Sequence, residues 1–120
     1  MQGILINPTL DFDAVSTVEV EEANKLASMR GYLECSLLDC VQLDDELDMW
    51  IDEQGLNTDE PQVNRVATAL AVAMGVATQP CYYGKALLLA RKGTDTVGLI
   101  DRVRDELLTD LSNIREAIGG

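Results

Sequence analysis

The stretch from Val63 to Lys92 holds the tightest constraint on the fold. Val63, Val66, Ala67, Leu70, Ala71 and Met74 recur at helical spacing, and Ala69, Val72 and Ala73 fill much of the other side. This predicts a helix over 63–74 that is buried on most faces, against a sheet and against another subunit. Gly75 ends it, and Tyr83 to Ala90 then runs almost wholly apolar. A run of that length reads as a strand covered on both faces, hence central in a sheet. A chain of 120 residues is one domain by size, so the remaining segments are read as packing around this unit.

Gly3-Ile4-Leu5-Ile6 reads as a second central strand, closed by Asn7-Pro8 because proline cannot donate to a ladder. Val15 to Val20 alternates as a half-buried strand, giving an antiparallel hairpin with the first. Glu21 to Arg30 reads as a short helix with Gly31 as its C-cap. Tyr32 to Leu43 is read as a strand with a bulge, and Leu47 to Asp52 as a strand with Leu47, Met49 and Ile51 facing the core. Arg91 to Asp95 is read as a basic turn, and a long amphipathic helix is expected over 98–118. Its stripe of Ile100, Val103, Leu107, Leu111, Ile114 and Ile118 suits core packing or a subunit seam. The expected fold is α+β: a mainly antiparallel sheet of about five strands, a buried helix and a long C-terminal helix.

Charge bounds the partners. Residues 1–64 hold fifteen acids and two bases, a net of −13, while residues 65–120 come to +1. Between Arg30 and Arg65 stand ten acids and no base. Such a field repels nucleic acid and anionic membranes and attracts basic proteins. No apolar run is long enough to cross a bilayer and no signal peptide is visible, so a cytoplasmic protein is expected.

Catalytic machinery is not legible. The chain has no His, which removes the commonest general base and metal ligand. Cys35, Cys40 and Cys81 have no metal-like spacing and are read as free thiols. Asp44, Glu46 and Asp48 fall at positions 1, 3 and 5 of a calcium-loop frame, but Met49 and Gly55 stand where Gly and Glu are required. The expectation is a non-enzymatic protein with no cofactor and no metal.

Two sets of residues are candidates for binding. Asn7, Arg65, Lys85, Arg91 and Lys92 lie at or near the central elements and would form an anion pocket if they converge. Asp44, Asp45, Glu46 and Asp48 form an acidic patch for a basic partner.

Four segments carry a family resemblance. Gly3-Ile4-Leu5-Ile6-Asn7-Pro8, Trp50-Ile51-Asp52-Glu53-Gln54-Gly55-Leu56, Val63-Asn64-Arg65-Val66-Ala67-Thr68-Ala69-Leu70 and Tyr83-Gly84-Lys85-Ala86-Leu87-Leu88-Leu89 occur in this order. The chain resembles domain-of-unknown-function family number 3846, small proteins of phages, plasmids and actinobacteria. The resemblance implies a mobile-element origin and no assigned chemistry. In size and layout the chain is also similar to the Thoeris anti-defence sponges, oligomers that sequester cyclic nucleotide signals. The expected function is therefore sequestration of a small anionic ligand, such as a signalling nucleotide, by a homo-oligomer. One alternative is an acidic mimic that binds a basic host protein. Another is an assembly protein of a phage particle.

Overall fold

The computed structural model describes residues 1–119. The fold is α+β, built on an antiparallel sheet. Its strands are β1 (Gln2–Ile6), β2 (Val15–Glu19), β3 (Leu38–Gln42), β4 (Leu47–Asp52), β5 (Ala86–Lys92) and β6 (Asp95–Val97). The helices are α1 (Lys25–Leu33), α2 (Arg65–Ala73) and α3 (Asp101–Gly119). The strand order is β2-β1-β5-β4-β3. Ala90 pairs with Leu47 of β4 and with Val97 of β6, so β6 continues the position of β1 along β5.

Both faces of the sheet are covered, which explains the unbroken apolar run. Leu87 and Leu89 point to one face, where Leu5, Val20 and α1 residues Met29 and Leu33 close over them. Ala86 and Leu88 point to the other, against Ile4, Ile6, Met49, α2 residues Val66 and Leu70, and α3 residues Leu107 and Leu111. Each aliphatic side chain so enclosed stabilises the fold by roughly 1.5–3 kcal/mol relative to exposure. The central position of β1 and β5, the β1–β2 hairpin and the inward set of β4 agree with the sequence reading.

Several boundaries differ, each for a local reason. The first helix does not stop at Gly31. It runs through Tyr32 to Leu33, because Leu33 buries one turn after Met29 and Tyr32 Oη donates to the carbonyl of Glu19 at 2.8 Å. Glu34, not Gly31, takes the left-handed cap, with φ 53° and ψ 46°. The following strand therefore begins at Leu38 rather than Tyr32.

Val63 lies outside α2 and bridges Tyr83. The helix buries one side only: Val66, Ala67, Leu70 and Ala71 face inward, while Val72 is 60% exposed. Lys85 precedes β5, and Arg91 and Lys92 belong to that strand rather than to a turn. Strand β6 is too short for an alternation signal. In α3, Leu107 and Leu111 are buried and Val103, Leu108 and Ile114 pack beside them, so this part of the stripe serves the core, whereas Ile100 precedes the helix and is 61% exposed. Asp48 is the main surprise of β4. Its alternation with the core residues predicts a solvated side chain, yet the residue is only 3% exposed.

Candidate functional site

The end of β1, the start of β5 and the start of α2 meet at one residue, Asn64. It is 1% exposed. Its Oδ1 accepts from the backbone N–H of Ala67 at 3.0 Å, an N-cap. Its Nδ2 donates to the carbonyls of Ile6 at 2.9 Å and Gly84 at 2.8 Å. Its own N–H donates to the Tyr82 carbonyl at 2.7 Å. Thr68 Oγ1 donates to the Asn64 carbonyl at 2.7 Å and accepts from the Tyr82 N–H at 2.9 Å. Two strands and a helix are thus fixed by one fully used side chain. A Cβ on nearby Gly55 would lie 2.8 Å from the Tyr83 carbonyl oxygen, so the loop after β4 closes on this hub only with glycine there.

The five candidate anion-pocket residues divide between the two ends of β5. Asn7, Arg65 and Lys85 lie at the hub end. There Asn7 Nδ2 donates to the Asp13 carbonyl at 2.9 Å, holding its own loop. Lys85 Nζ pairs with Glu34 at 3.1 Å, and Arg65 is exposed. Arg91 and Lys92 lie at the far end, about 20 Å along the strand from Lys85 at ~3.4 Å per residue. No single pocket collects the five.

Arg91 instead joins the acidic set. Its Nη1 forms an ion pair with Asp48, and its Nη2 donates to the Asp44 carbonyl at 2.8 Å. Its N–H donates to the Glu46 carbonyl at 2.8 Å. Asp44, Asp45 and Glu46 are exposed on the β3–β4 turn. The structure thus splits the acidic set: three surface carboxylates that face water, and one, Asp48, spent on an internal cation.

Beside this turn lies a cleft of about 560 Å³. Its floor is apolar, made by Leu47, Met74, Ala90, Val97, Val103 and Leu107. Asp44 and Glu46 stand on one side, Glu106 and Asp110 of α3 on the other, and Arg91 and Lys92 also line it. Glu106 and Asp110 escape the sequence reading because α3 lies some 60 positions from the turn in the chain. The signal available for them was an i,i+4 acid pair flanking the buried Leu107. Asn64 carried a clearer signal, a capping residue directly before an apolar-periodic helix.

Cys40, opposite Trp50 on edge strand β3, has its thiol pKa pushed up to about 12 by burial first and by the Asp48 carboxylate second. At pH 8 the thiolate fraction is then about a thousandfold below that of an ordinary cysteine. Iodoacetamide labelling followed by peptide mass spectrometry is expected to find Cys40 essentially unmodified when a cysteine of ordinary pKa is fully alkylated. Rapid labelling of Cys40 in the folded protein would contradict this geometry. Burial also raises the pKa of Cys35, with Asp52 adding to the shift.

Among the described residues no group of three or more His, Cys, Asp or Glu is placed to hold a metal ion. No helix there is long and apolar enough to cross a membrane. Neither a search of curated proteins nor one of solved structures finds a match to this chain. The model of a family described as a domain of unknown function (DUF3846) matches residues 1–120, the whole chain, which therefore belongs to that family.

Proposed function

We propose that this domain is a non-enzymatic binding module that engages a basic surface of another protein through its β3–β4 turn. The observation that carries the reading is the allocation of charge around that turn. Asp44, Asp45 and Glu46 project into water, while the neighbouring guanidinium of Arg91 is already committed to Asp48. Exposed carboxylates without a local counter-ion steer and register a cationic partner. The dispersal of Asn7, Arg65, Lys85, Arg91 and Lys92 weighs against a single anion pocket.

The test neutralises the turn and leaves Asp48 in place, because Asp48 belongs to the interior. The variant Asp44→Asn, Asp45→Asn, Glu46→Gln is compared with Asp11→Asn, Glu21→Gln, Glu22→Gln, which has the same net charge. The amide introduced at position 44 keeps an oxygen for the Glu46 N–H, which Asp44 Oδ1 now accepts at 2.7 Å. Binding to a basic protein recovered from host lysate is expected to fall about tenfold or more for the turn variant and to persist in the control. Equal loss in both variants would reduce the interaction to bulk charge and overturn the reading.

A further inference from the structure

We infer that the cleft between the β3–β4 turn and α3 receives an amphipathic basic segment of the partner protein. One bulky apolar side chain enters the floor, and flanking lysines or arginines meet the carboxylates on either side. This inference rests on the binding reading above and specifies its ligand.

The shape and chemistry of the cleft select this occupant. Its volume of about 560 Å³ lies within the range of roughly 300–1,000 Å³ typical of ligand pockets. The apolar floor gains nothing from a purely polar ligand. Met74, unbranched and partly exposed at the floor, adapts to different apolar shapes.

All four rim carboxylates are exposed: Asp44, Glu46, Glu106 and Asp110. Glu106 and Asp110 are one helical turn apart, about 6 Å along α3. They form one acidic wall, opposite the wall made by the turn. Glu106 has a partner, Arg102 at 3.4 Å, but both are well exposed and such a pair holds weakly.

Lys92 is the one exposed base on the rim, and Arg91 is held by Asp48. The balance at the mouth therefore remains negative. An anionic ligand would be repelled by the mouth. A small polyamine would satisfy the walls and leave the floor empty. A protein segment carrying both cationic and bulky apolar side chains uses the whole site.

Fluorescence anisotropy with two labelled synthetic peptides of equal charge tests this. One alternates lysine with leucine at helical spacing; the other has serine in place of leucine. Three variants are compared with wild type: Glu106→Gln with Asp110→Asn, Ile100→Asp, and the neutralised turn. Ile100 is 61% exposed at the cleft, so its replacement leaves the core untouched.

The leucine peptide is expected to bind about tenfold more tightly than the serine peptide. The α3 double variant should weaken the leucine peptide by about tenfold. Ile100→Asp should weaken the leucine peptide but not the serine peptide. If both peptides bind wild type equally, and only the turn variant weakens them, the cleft is not the site and the broader binding reading stands. If neither peptide binds, both fail.

Discussion

Replacing Asn64 with Leu is expected to remove about 4 kcal/mol of stability. The side chain serves three backbone groups at once: the Ala67 N–H and the carbonyls of Ile6 and Gly84. Leucine fills a similar volume but takes the amide partner away from all three. Loss of the cap alone costs about 1 kcal/mol. Each orphaned group adds roughly 1–3 kcal/mol before relaxation. Asn64→Asp should be at least as damaging. Its carboxylate still caps the helix, but it cannot donate to the two carbonyls and faces them with a buried charge. Asn64→Ser keeps an acceptor for the cap and should fall between. Urea unfolding followed by circular dichroism provides the measurement. A loss below about 1 kcal/mol for Asn64→Leu would contradict the hub. The total stability of a domain is about 5–15 kcal/mol, so the predicted loss approaches global unfolding in a marginal background.

The second large effect is asymmetric. Arg91→Met leaves Asp48, 3% exposed, with no cation to answer it. A stranded buried charge of this kind costs about 3–5 kcal/mol. Asp48→Leu is expected to cost less, because the Arg91 side chain keeps 16% of its surface exposed, against 4% for Asp48, and so has the shorter path to water. The double variant Asp48→Leu, Arg91→Met removes both charges and should recover most of the loss, since apolar replacement of a buried pair is often neutral or stabilising. A double-mutant cycle from the same unfolding curves reports the coupling directly. Additive single effects would mean that the two side chains do not meet.

Much of the fold was legible because it rests on patterns with a clear period. The continuous apolar runs in β1 and β5 marked strands covered on both sides, and the alternation Leu47, Met49, Ile51 gave the inward face of β4. The stripe of α3 was readable for the same reason. The reading failed where tertiary contacts outweighed local preference. Gly31 looks like a helix stop, but Leu33 gains more by burial than the helix loses at that glycine. Asp48 sits at an outward position of its strand, and only the cation from β5 makes its burial tolerable.

The candidate sites were harder still. Composition marked the acidic region, and the turn carboxylates group together in sequence. The division of that group into surface and interior members depends on Arg91, 43 residues from Asp48. The grouping of the five anion-pocket candidates had no such anchor. Lys85 and Arg91 are close in sequence, but an extended strand carries them to opposite ends of the sheet.

One comparison bears most directly on whether the domain takes a cationic rather than an anionic ligand. Isothermal titration would be run in parallel with the lysine–leucine peptide and with a cyclic dinucleotide, at low and moderate salt. Saturable peptide binding that weakens as salt rises, with no heat from the nucleotide, is the predicted result. Saturable nucleotide binding that disappears in Arg65→Ala and Lys85→Ala, with no response to the peptide, would contradict it and place the site at the opposite end of β5.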